Sequence, residues 1–145
     1  MKPSDRNRRE EEFQKFLVEM DDVLEGLLER AERDGRVLDY SPASLDALEE
    51  LWLSGKSAGD AEVLSTRCAR YVGEVYRRNL GGVWKLELNS PKKAAYGLPV
   101  ISGFSSRDYS SCPTLLFQSF RAREIRGLLR TAYEADKVFA DKGSH

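Results

Sequence analysis

Apolar residues recur with helical spacing along the first part of the chain. Phe13, Phe16, Leu17, Met20, Val23, Leu24, Leu27, Leu28 and Ala31 fall at i, i+3, i+4 and i+7, and the positions between them are mostly charged. This pattern predicts one amphipathic helix over about residues 6–34. Asp34-Gly35 ends it, Gly35 suiting a left-handed C-terminal cap. Val37-Leu38 reads as a short extended piece. Ser41-Pro42 is an N-cap followed by a first-turn proline, and opens a second helix over about 42–54 with Leu45, Leu48, Leu51 and Trp52 on one face. After a Ser54–Gly59 loop, Asp60 starts a third helix, about 60–80. Its apolar line is Leu64, Cys68, Tyr71, Val72, Val75, Tyr76 and Leu80, and Gly81-Gly82 stops it.

There the period changes from 3.6 to 2. Trp84, Leu86 and Leu88 point one way, Lys85 and Glu87 the other, as in a half-buried strand. Asn89 to Lys92 is a turn, and Ala94 to Ile101 returns as a second strand that Pro99 places at an edge or splits. Gly103 to Pro113 reads as a polar loop. A helix beginning near Pro113 carries Leu115, Leu116, Phe117 and Phe120. A last one, about 123–140, turns Ile125, Leu128, Leu129, Ala132, Tyr133 and Val138-Phe139 inward. The expected fold class is α+β: a mainly helical single domain over 1–145, with a small antiparallel sheet, about residues 83–101, packed on the helices. A chain of 145 residues buries roughly 70% of its unfolded surface and needs no staple to fold.

Charge adds an asymmetry. The total is −1, but residues 1–60 hold 9 basic and 16 acidic side chains while residues 61–145 hold 14 and 8. The front is acidic and the back basic. No apolar run approaches the ~20 residues that span a bilayer, and the N-terminus lacks the apolar core of a secretory signal. A cytoplasmic protein without membrane contact is the expectation. The Lys142-Gly143-Ser144-His145 end reads equally as native or as a vector remnant over 143–145.

His145 is the only histidine, so the body of the fold has no imidazole for acid/base catalysis, for a Ser-His or Cys-His pair, or for a metal. Cys68 and Cys112 lack metal-site spacing, and Cys68 falls on an apolar helix face. Gly55-Lys56-Ser57 follows a helix rather than a buried strand and so makes no phosphate loop. Asp22, Glu25 and Glu29 share a helical face at i, i+3 and i+7, and read as a solvated acidic face without a metal. The Asp21-Asp22 and Glu49-Glu50 pairs are poorly placed to chelate, since neighbours on a helix point about 100° apart. Neither catalytic residues nor cofactors are expected. Basic residues form two sets: Arg67, Arg70, Arg77 and Arg78 on the third helix, and Arg121, Arg123, Arg126 and Arg130 near the last. Arg123, Arg126 and Arg130 read as one stripe. A sequence pI near 5.9 argues against nucleic acid.

The stretch Arg70-Tyr71-Val72-Gly73-Glu74-Val75-Tyr76-Arg77-Arg78-Asn79-Leu80-Gly81-Gly82-Val83-Trp84 resembles a pattern of small uncharacterised bacterial α+β domains. In these a helix carrying Gly-Glu-Val runs through Asn-Leu-Gly-Gly-x-Trp into a small sheet. Such domains occur among immunity proteins for polymorphic toxins and among orphan proteins. The resemblance covers about residues 40–135 and transfers no catalytic residue. It implies close helix packing at Gly73, a buried Glu74 facing an arginine or capping a loop, a sharp turn at Gly81-Gly82 and a sheet anchored by Trp84.

The functional expectation is a non-enzymatic bacterial protein-binding module, most concretely an immunity protein whose acidic helices meet a basic toxin. Its expected contact residues are Asp21, Asp22, Glu25, Glu29, Arg107, Asp108, Arg123, Arg126 and Arg130. Two alternatives stand beside it. One is a regulatory or scaffold protein that self-associates as a homodimer through the N-terminal helix. The other is a small-ligand binder using the 103–113 loop.

Overall fold

The computed structural model describes residues 2–105 and 109–143. In chain order these form α1 (Pro3–Val18), α2 (Met20–Arg33), α3 (Ser44–Gly55), α4 (Ala61–Leu80), β1 (Val83–Leu86), β2 (Pro99–Ser102), β3 (Ser110–Ser111), α5 (Pro113–Arg123) and α6 (Leu128–Gly143). This is the mainly helical α+β fold that the periodicity predicts.

The fold is organised around α4. Tyr71, Val72, Gly73, Glu74, Val75 and Tyr76 are six consecutive buried residues, so at mid-length this helix is covered on every side. Its neighbours are α2, α3, α5, α6 and the sheet. The core joins Leu24 and Leu27 of α2, Leu45, Leu48 and Trp52 of α3, Phe117 and Phe120 of α5, and Leu129 and Tyr133 of α6 to this central rod. Aromatic edges pack against faces inside it, Trp52 with Phe117 at 5.5 Å and Tyr76 with Tyr133 at 5.4 Å between centroids.

Gly81 and Gly82 take φ of +87° and +91°, which turns the chain from α4 into β1. The antiparallel sheet has order β1-β2-β3, with Trp84 opposite Ile101 and Ile101 opposite Ser111. Trp84 and Leu86 lie on its shielded face, while Val83 and Lys85 are exposed, as the period of two requires. Trp84 crosses onto α4 at Gly73. A Cβ there would stand 2.1 Å from the indole Cη2 and 3.0 Å from Cγ of Pro113.

Five sequence expectations are corrected. The 6–34 helix is interrupted at Glu19, whose ψ relaxes to −2°. No proline or glycine stands there. The break lets Phe16 turn onto Trp84 while Met20, Leu24 and Leu27 stay in the core. The second strand is only Pro99–Ser102 and lies at the centre of the sheet. Pro99 is tolerated because it is the first residue of β2 and β3 pairs only with Ile101 and Ser102. The 103–113 loop contains β3.

The remaining two corrections concern the C-terminal segment. The last helix starts at Leu128, not near 123, because Glu124 and Gly127 both take positive φ. Ile125 therefore falls in the turn and is exposed, and Val138 and Phe139 of α6 are exposed rather than inward. For the same reason Arg123, Arg126 and Arg130 form no stripe: Arg123 ends α5, Arg126 sits in the turn and Arg130 in α6.

Gly73→Ala forces the Trp84 indole off α4. It is expected to lower unfolding free energy by about 3 kcal/mol, near the upper end of overpacking costs. Urea denaturation reads this directly, and an unchanged midpoint would contradict the contact.

Candidate functional site

Three buried carboxylates stand out first, and each one closes the fold. Glu74 accepts hydrogen bonds from the indole N–H of Trp84 at 3.0 Å and from Arg77 Nε and Nη2 at 2.7 and 2.8 Å, with Arg78 Nε at 3.4 Å. Burial alone pushes this carboxyl up. The hydrogen bonds from Arg77 and Trp84, with the charges of Arg77 and Arg78, outweigh that and hold it below its ordinary value. Glu49 of α3 accepts the backbone N–H groups of Gly127 and Leu129 at 2.7 and 3.0 Å, and so caps α6 from another helix. Its desolvation outweighs those bonds and raises the carboxyl. Glu87 accepts the Asn89 amide at 3.3 Å and pairs with Lys93 at 3.6 Å, closing the turn after β1.

The other ionisable groups of the core are shifted away from neutral reactivity. Burial drives the Cys68 thiol well up and raises Cys112. Tyr71 and Tyr109 are pushed up to about 12, chiefly by burial, and Tyr76 is pushed further. Tyr76 and Tyr109 both donate to Asp136 of α6, tying that helix to α4 and to the loop before β3. These phenols are stable donors at neutral pH. Among the described residues no three side chains come together with metal-ligand chemistry.

The expected contact residues separate into three groups. Asp21, Asp22, Glu25 and Glu29 are exposed on α2. At 100° per residue they fall within an arc of about 100°, facing away from the buried Met20, Leu24, Leu27 and Ala31. Glu32 falls inside the same arc and is exposed, a member the sequence reading left out. None of the five makes an ion pair with a described residue. Arg126 and Arg130 bind Glu50 at 2.5 Å and Asp46 at 2.9 Å on α3, while Arg123 is exposed at the end of α5. Arg107 and Asp108 lie outside the described residues, as does His145. Glu49, read as part of a solvated pair with Glu50, is buried instead.

Several basic side chains are matched across elements. Arg121 pairs with Glu62, Lys56 with Glu124 and Arg30 with Asp60. On α4, Arg78 also lies 3.7 Å above the Tyr40 ring. Arg70 differs: it contacts the Phe16 ring at 4.4 Å and faces a cavity under α1. The apolar line proposed for self-association is divided. Met20, Leu24 and Leu27 are in the core, which leaves only the α1 portion for a homodimer contact. The described part of the 103–113 loop packs inward through Phe104, and through Tyr109 stacked on Phe139. No helix of the described residues is long and apolar enough to cross a membrane.

No protein-family model, curated protein or solved structure matches this chain. Function therefore rests on the residues themselves.

Because the folded pKa of Glu74 is depressed, its contribution is complete above the ordinary value of 4.5 and is lost as pH falls through the folded value. Stability measured by urea from pH 6 to 3 should decline on acidification, and Glu74→Gln should flatten that decline. An identical acid limb in the variant would contradict the buried network.

Proposed function

We propose that the protein is a non-enzymatic binding module that offers the acidic face of α2 to a basic protein partner, with neutralisation of a bacterial toxin its most concrete role. One observation carries the reading. On α2, Asp21, Asp22, Glu25, Glu29 and Glu32 share one exposed face without ion pairs to described residues. The core beneath anchors the helix that carries these carboxylates, since Leu24 and Leu27 of the same helix are buried.

Such a surface steers a basic partner and raises its association rate more than it deepens the bound state. A toxin that cleaves nucleic acid presents a basic substrate cleft, and an acidic helix matches it in sign. The deactivated thiols and phenols of the core fit a binding role better than a catalytic one. The Gly-Glu-Val to Asn-Leu-Gly-Gly-x-Trp resemblance to immunity-type domains points the same way.

The test is protection of bacterial cells expressing a nuclease toxin taken from this gene's neighbourhood, and a neighbourhood that encodes no toxin would itself refute the reading. The wild type should restore growth. The variant D21K/D22K/E25K/E29K should fail while melting at the same temperature, with association slowed about ten- to a hundredfold at low salt. No protection by the wild type, or full protection by the reversed variant, would refute the reading.

A further inference from the structure

The cavity between α1, α4, α5 and the sheet is accounted for neither by closure of the fold nor by charge pairing. It encloses about 430 Å³, within the range of small-molecule sites, about 300–1,000 Å³. Phe16, Ala69, Trp84 and Pro99 supply apolar wall, and Arg70 and Gln118 supply polar groups. The Nε of Arg70 is buried without a hydrogen-bond partner, and the guanidinium makes no ion pair with a described residue. Its neighbour is the Phe16 ring at 4.4 Å, which offers Nε no acceptor oxygen. An unmet buried donor on a charged group is costly.

Three acids stand at the rim, each beside another base: Glu62 is held by Arg121, Glu19 lies 3.8 Å from Lys15 and Glu12 lies 4.0 Å from Arg8, and of the three Glu19 also acts electrostatically on Arg70. The site therefore combines an open guanidinium with an aromatic slot, the pairing that recognises a planar carboxylate carrying an apolar body. Its roof is easily displaced. α1 has no buried residue and meets the body through Phe16 on Trp84 and a 3.4 Å hydrogen bond from Arg9 to the Gly97 carbonyl. The interruption at Glu19 gives it a place to pivot.

We propose that this cavity binds a small organic monoanion, a carboxylate with an aromatic or short aliphatic body, and that Arg70 is its counter-ion beneath α1. The site is separate from the acidic face of α2 and stands independently of any protein partner.

The test is calorimetric titration of the full chain with 4-phenylbutyrate, neutral 4-phenylbutanamide and cationic 4-phenylbutylamine. The carboxylate should bind about tenfold or more tightly than the amide, as one charged hydrogen-bonded contact implies, and the amine most weakly. Arg70→Met should bring carboxylate and amide within about twofold of each other, since it removes only that contact. Ala69→Leu, which fills the cavity, should abolish binding of both. Equal binding of the three probes by the wild type, no binding of any at millimolar concentration, or an undiminished carboxylate preference in Arg70→Met would each overturn the proposal. Should Arg70→Met fail to fold, the wild-type ranking decides alone.

Discussion

The contact on which the structure depends is the one between Gly73-Glu74 and Trp84. A helix buried on all sides has no free face for a sheet, so the sheet must come in over a residue without a side chain. Gly73 provides that gap, and the indole lies where a Cβ would stand. The next residue then supplies the polar half of the joint: Glu74 accepts the indole N–H at 3.0 Å and is neutralised by Arg77. One helical step thus delivers close approach and hydrogen-bonded orientation together. The buried carboxylate is tolerable because three donors from Arg77 and Trp84 reach it. The outer layer follows. Trp84 gives Phe16 its edge-to-face seat, and that seat places α1 over the Arg70 cavity.

The acidic front and basic back of the chain resolve into a division of labour. The basic residues of the C-terminal part meet acids of α3 and α4 rather than of the long first helix: Arg130 finds Asp46, Arg126 finds Glu50 and Arg121 finds Glu62. These exposed pairs contribute little each, about 0–1 kcal/mol. Their consequence lies in what they leave over. The acids of α2 have no such partners, so the near-zero net charge conceals a one-sided surface.

The legibility of the fold follows the length of its signals. The long helices α2 and α4 and the alternation at Trp84 and Leu86 were readable because burial on one face imposes a period. The two-residue strand Ser110–Ser111 was not, since two serines carry no period and their pairing with Ile101 and Ser102 is set across the intervening loop. The late start of α6 had a local signal in Gly127, but Ile125 mimicked an inward position and masked it. Glu49 had one too, standing in the Leu45, Leu48, Trp52 stripe, where a charge must find a buried partner. Most of the acidic face was legible from its spacing, with Glu32 left out because it follows the i, i+3, i+7 set at the helix end. The cavity was not, because four elements distant in sequence build it, and the unpartnered Nε of Arg70 becomes visible only once those elements are in place.

The most direct test of this dependence is a double-mutant cycle on Glu74→Gln and Trp84→Phe, with unfolding free energies from urea denaturation at neutral pH. Loss of packing at residue 84 cancels in the cycle, which isolates the interaction between the two side chains. A coupling of about 1–3 kcal/mol is predicted, as for a buried hydrogen bond to a charged acceptor. Independent, additive losses would contradict it and would mean that sheet and helices are held together elsewhere.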